Sequence, residues 1–142
     1  MSNNLLPAYI VDSFALLAYL ENEDGATIVR KRLLSAAQHE IALYMPTINL
    51  GEMLYIIERE QGLSTAQLVF AQFQQLPIHL LDAELSRILA AAHIKAQTPI
   101  SYADAFVVAA AQEFHATILT GDPEFKKVKV SVQIEWLPQA TS

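Results

Sequence analysis

Short apolar runs that do not alternate with polar residues constrain this chain more than any other feature. They fall at 8–11 (AYIV), 41–45 (IALYM), 78–81 (IHLL) and 117–119 (TIL), and a closing strand is expected at 132–136. A strand with one wet face alternates, so a strand that does not is covered on both sides. Between these runs the apolar spacing is helical. Helices are predicted over 13–20, 26–38 and 47–61, the last ended by Gly62. Another opens at Ser64 with Gln67 as its capping box and stops at Leu76-Pro77; Asp82 caps one running to about 96. The last follows Pro99 and Ser101 and reaches Phe114. Strand–helix alternation of this kind predicts a three-layer α/β/α fold with a central, mostly parallel sheet. The 142 residues are 53% apolar with four Gly and six Pro, which suits a single domain spanning 1–142.

The stretch from Pro99 to Phe125 carries acids where acids are unusual. Asp104 sits in the first turn of an otherwise apolar helix, and Asp122 follows the strand TIL directly. Ligands in open parallel sheets collect at the carboxyl ends of the strands. Two more acids belong to that edge: Asp12 after the first strand, and Glu52 in the early turns of the helix after the second. Each has an ordinary explanation. Asp12 can cap its helix, Asn49 to Glu52 and Ser101 to Asp104 read as capping boxes, and Asp122-Pro123 is a sound helix start. Ser64 and Gln67, however, would build a capping box without charge. Asp104 and Glu52 lie in apolar sequence, where an ionised group is costly unless compensated. Four carboxylates at one edge would repel and raise one another's pKa, and a divalent cation removes that penalty. Mg²⁺ and Mn²⁺ prefer hard oxygen ligands and suit phosphate substrates.

Other chemistries fit poorly. The absence of Cys excludes disulfide scaffolds and thiolate sites, and fits a reducing compartment. His39, His79, His93 and His115 are scattered, with no pair at zinc-ligand spacing, and none is expected to be catalytic. There is no Walker loop, G-x-G-x-x-G, G-x-S-x-G or Ca²⁺-loop pattern. The longest apolar run, 105–111, is too short to cross a membrane, and the start of the chain does not read as a signal peptide, so a cytoplasmic location is expected. The net charge of −6 argues against strong phosphate binding. Setting aside four acids held in a metal site leaves about −2, with basic clusters at Arg30-Lys31-Arg32 and Lys126-Lys127-Lys129.

Taken together, YIVDSFALLAYL, NLGEMLY, SYADAFVVAAA and ILTGDPEF resemble the PIN-domain ribonucleases, most closely the VapC-type toxins of toxin–antitoxin pairs. The resemblance runs from about Tyr9 to Trp136 in family order and spacing. It implies that Asp12, Glu52, Asp104 and Asp122 bind Mg²⁺ or Mn²⁺ and carry catalysis, with Ser13, Ser101 and Thr120 as supporting hydroxyls. Asn49 departs from the family's usual Ser or Thr. The implied activity is metal-dependent cleavage of single-stranded or looped RNA, where an unpaired backbone can bend into a site. The implied partners are an antitoxin segment in a hydrophobic groove and a second copy in a homodimer.

Two further readings stand beside the toxin. One is a PIN-like nuclease of RNA maturation or decay. The other is a non-catalytic metal- or nucleic-acid-binding module or a phospho-acceptor receiver, against which Ser13 and Phe14 count, since receivers pair acids after the first strand. The compact length, with no added RNA-binding domain, favours the toxin. Residues 53–73 place Leu54, Tyr55, Ile57, Leu63, Leu68, Val69, Phe70 and Phe73 on two successive helices, and some of this surface is expected to face another protein.

Overall fold

In a computed structural model, which describes residues 5–138, five strands form one sheet in the order β3-β2-β1-β4-β5. They are β1 (Ala8–Val11), β2 (Ala42–Pro46), β3 (His79–Leu81), β4 (Thr117–Thr120) and β5 (Gln133–Trp136), and every pairing is parallel. Six α-helices connect them: α1 (Ser13–Leu20), α2 (Ala26–Ala37), α3 (Thr47–Gln61), α4 (Leu63–Phe73), α5 (Leu85–Gln97) and α6 (Tyr102–Phe114). A 3₁₀ turn, Pro123–Lys127, follows β4.

The sheet separates two cores, and successive strand residues feed opposite ones. Val11, Leu43, Met45 and Leu119 pack with α1, α2, α3 and α4, among them Leu16, Val29, Leu33, Met53, Ile57 and Phe73. Ile10, Leu81 and Ile118 pack with α5 and α6, among them Ile94, Phe106, Val107 and Val108. Because both faces are covered, Ile10 and Val11 are each fully buried although they point apart. This is the three-layer α/β/α sandwich that unalternating strands require.

Helix α6 explains how so many side chains fit. From Asp104 to Ala111 every residue is buried, four of them Ala, and their small volume lets the helix lie close to both α5 and the sheet. Its end turns at His115, in the left-handed region at φ 50°.

Some local expectations fail at helix starts. Residues 49–52 are not a capping box, because α3 begins at Thr47 with Pro46 as its cap; Asn49 and Glu52 stand on successive turns inside it. Helix α4 starts at Leu63 after Gly62, without the side-chain cap expected of Ser64. Glu84 rather than Asp82 precedes α5. In each case the chain direction set by packing decides the first turn, and capping residues nearby are simply bypassed. Asp12, Ser101 and Asp122 do cap: their side chains accept from the N–H of Ala15, Asp104 and Glu124.

Candidate metal centre at the carboxyl edge

β1 lies between β2 and β4, so the chain leaves these three neighbouring strands at one edge of the sheet. Asp12 leaves β1 there, α3 with Glu52 leaves β2, and Asp122 follows β4. The start of α6 brings Asp104 to the same place: the charges of Asp122 and Glu52 both act on its carboxyl, and those of Asp104 and Asp122 act on Asp12. The fold therefore gathers all four acids.

Asp12 is the most tightly held. It is 2% exposed, its Oδ1 accepts from the Ala15 N–H at 2.8 Å, and its Oδ2 accepts from the Thr120 hydroxyl at 2.5 Å. Thr120, itself fully buried, accepts in turn from the Asp122 N–H at 3.0 Å, so one hydroxyl couples the acid after β1 to the loop after β4. Burial pushes the Asp12 carboxyl up to about 8; its two hydrogen bonds pull the other way and the neighbouring acids add to the rise. Asp104 is pushed up to about 7, first by burial and then by Asp122, with Ser101 opposing. Glu52 is half-buried, and its Oε1 accepts from the Ser13 hydroxyl at 2.7 Å; the same hydroxyl lies 2.9 Å from the Asn49 carbonyl oxygen.

In this geometry no three Asp, Glu or His side chains among the described residues converge as a finished ligand set. The donor set nonetheless suits one class of ion. It is all oxygen, it is crowded with like charge, and burial pushes two of its carboxyls toward the neutral form, a cost that a cation would offset. Those properties fit a hard divalent ion and not zinc. All four histidines are exposed.

Two neighbours were not among the site residues that the sequence offered. Gly121, between Thr120 and Asp122, faces Phe14; a Cβ there would fall 2.4 Å from the ring. Nothing short of the fold could pair those positions. Asn49 is fully buried, its Nδ2 donates to the Ala103 carbonyl at 3.4 Å, and its Oδ1 has no partner among the described residues. A polar residue in the apolar run INLGEML was the available signal. A cavity of about 260 Å³ between α5 and α6 is a less suitable site, since its one carboxylate, Glu113, is already paired with Arg87 at 3.0 Å.

The basic clusters divide. Arg32 is bound through both Nε and Nη2 to Glu135 of β5 and lies over the Tyr9 ring, so it braces α2 against the sheet. Lys127 pairs with Glu124, while Lys126 beside it is exposed.

The PIN-domain family model matches residues 9–131, and the chain belongs to that family. No curated protein matches the sequence. Among solved structures the chain is similar to VapBC2 from Rickettsia felis bound to a promoter DNA fragment, with TM-score 0.72 and 15% identity over 92% of this chain and 99% of that one. It is likewise similar to DNA-bound VapBC from Salmonella typhimurium, with TM-score 0.71 and 17% identity over 92% and 98%. A third is VapC20 from Mycobacterium tuberculosis, described as a toxin that cleaves the sarcin–ricin loop, with TM-score 0.64 and 19% identity over 83% and 92%. At these identities the likeness speaks for the fold.

Proposed function

We propose that this protein is a divalent-metal-dependent endoribonuclease acting as the toxin of a toxin–antitoxin pair. The observation that carries the reading is the gathering of Asp12, Glu52, Asp104 and Asp122 at the carboxyl edge of a PIN-domain sheet, with burial holding Asp12 and Asp104 against ionisation. Those four carboxylates would hold Mg²⁺ or Mn²⁺. When bound, the ion supplies charge for the scissile phosphate and lowers the pKa of water. The chain's own part is positional. Ala15 and Thr120 fix both oxygens of Asp12, Ser13 fixes Glu52, and Asp122 is oriented by its own N–H bond to Thr120. Among the described residues no histidine or lysine acts on Asp12 or Asp104, so proton removal falls to the carboxylates themselves.

RNA as substrate is supported by the resemblance to VapC-type ribonucleases, one of which is described as cleaving the sarcin–ricin loop. An antitoxin partner follows from neighbours solved as VapBC complexes. This chain has surface for such partners: Tyr55, Leu63 and Leu68 on α3 and α4 are more than half exposed, as are Leu85 and Leu89 on α5. Ile57 and Phe73, by contrast, belong to the core. A homodimer would use part of that surface, and light scattering showing a monomer at tens of micromolar would count against it. Among the described residues no helix is long and apolar enough to cross a membrane.

The experiment is a single-stranded RNA cleavage assay beside thermal melting, for wild type and Asp104→Asn, in EDTA and in Mn²⁺. Wild type should gain melting temperature with Mn²⁺, since saturation at about 100 times the dissociation constant contributes roughly 2.7 kcal/mol. Asp104→Asn should lose cleavage by roughly 10²–10³-fold, the scale of one preorganised electrostatic contact. It should also lose most of the Mn²⁺ response, yet melt higher than wild type in EDTA because one repelling, desolvated carboxyl is gone. A fully active Asp104→Asn enzyme would end the reading.

A further inference from the structure

We propose that Asn49 supplies a neutral oxygen to the divalent-cation site, acting as a positioning residue through its carboxamide. The inference rests on the metal reading above and concerns a residue outside the four acids. Asn49 is fully buried on α3, one turn before Glu52. Two contacts tie it to the acid cluster's own elements. Its backbone carbonyl oxygen lies 2.9 Å from the Ser13 hydroxyl that also reaches Glu52. Its Nδ2 donates to the carbonyl of Ala103, the residue before Asp104. That second contact fixes which way the amide faces, since turning it over would set Oδ1 against another carbonyl oxygen.

Oδ1 is then left as a buried acceptor without a partner, the only such side-chain atom found among the described residues. Leaving an acceptor buried and unpaired costs about 1–3 kcal/mol, so a site that keeps one has a use for it. Carboxamide oxygens suit hard cations and the waters around them as carboxylate oxygens do, without adding charge. In a cluster where like charge is already the dominant problem, a neutral oxygen adds binding capacity without further repulsion. The capping role that sequence would give Asn49 is void, because α3 begins before it.

The test compares Asn49→Ala and Asn49→Asp by Mn²⁺ titration of the melting temperature, with RNA cleavage alongside. Both variants lose the donor to Ala103, but only Ala loses the oxygen. If Oδ1 serves the cation, Asn49→Ala binds Mn²⁺ about tenfold or more weakly, the usual penalty for an outer-shell partner. Asn49→Asp then binds Mn²⁺ as tightly as wild type or tighter, while melting lower in EDTA because a fifth carboxylate joins the cluster. If Asn49 only braces α3 against α6, both variants lose metal affinity in parallel, or neither does, and the proposal falls. Should either variant fail to fold, the side-chain carbonyl carbon of Asn49 in labelled wild type decides. Its NMR shift should move with Mg²⁺ at the same midpoint as the thermal response, and a stationary signal overturns the proposal. A wild type indifferent to both metals removes the metal reading and this inference together. A responsive wild type with an unchanged Asn49→Ala removes the inference alone.

Discussion

The two halves of the acid edge are built differently. On the strand side, Asp12 and Asp122 are joined through Thr120 by bonds of 2.5 and 3.0 Å, and Asp12 is further pinned by the Ala15 N–H. On the helix side, Glu52 leans on one hydroxyl and Asn49 reaches Ala103 at 3.4 Å. Strand ends are fixed by pairing on both flanks, β1 by β2 and β4, so the loops leaving them start from rigid points. The helix-borne groups depend on how α3 packs against α6, which side-chain volumes set less sharply. The difference teaches which part is preorganised: the strand half has its oxygens already fixed, and the helix half is the part left room to adjust.

Thr120→Val tests that contrast with the largest expected effect. It leaves a buried Asp12 oxygen and the part-buried Asp122 N–H without their Thr120 partner, and should cost about 1–3 kcal/mol of stability, read by denaturant unfolding. Ser13→Ala removes one hydroxyl from a half-exposed carboxylate and should cost under about 1 kcal/mol, while lowering cleavage through a less ordered Glu52. Equal costs for the two would erase the distinction between the halves.

The pH dependence should come next. Asp12 and Asp104 are raised from 3.8 to about 8 and about 7, so between about pH 4 and pH 8 the metal-free fold binds more protons than the unfolded chain. Stability is then fully present below about pH 4 as far as these two groups are concerned. It falls as pH rises through 7 and 8. Melting in EDTA should therefore drop across that window, and saturating Mn²⁺ should flatten the drop by favouring the ionised acids. An EDTA melting temperature that rises from pH 5 to 8.5 would contradict the burial of both carboxyls.

RNA affinity should show the smallest effect. With Arg32 committed to Glu135, Arg30, Lys31, Lys126 and the surface-paired Lys127 remain to meet phosphates. Neutralising two or three phosphates of a single strand gives a log–log salt slope of roughly −1.4 to −2. Replacing Lys126 and Lys127 with Glu should weaken binding at low salt, whereas Arg32→Ala should lower stability and leave the slope unchanged. Unaltered low-salt binding in the double variant would move the RNA path elsewhere.

Much of this was legible in one dimension. Apolar runs without alternation, as at 8–11 and 117–119, dictated a covered parallel sheet, and that sheet brought the residues after β1, β2 and β4 to one edge. Asp12 and Asp122 could be placed from that rule alone. Asp104 stood out because an acid inside an apolar helix needs a reason. Sequence read Asn49 to Glu52 as a cap, because capping propensity is local and cannot see where packing starts a helix. It grouped Arg32 with Arg30 and Lys31, although the bond that matters joins Arg32 to Glu135 of β5, a partner distant in the chain. Residue types and their periods settled the layers and the edge to which the acids come, since these depend on burial and strand direction. Which hydroxyl holds which carboxylate, that Gly121 must make room for Phe14, and that Asn49 keeps an unpaired oxygen were decided by tertiary structure. Hydrogen bonds and close contacts act over about 3 Å, a distance that only the folded chain defines.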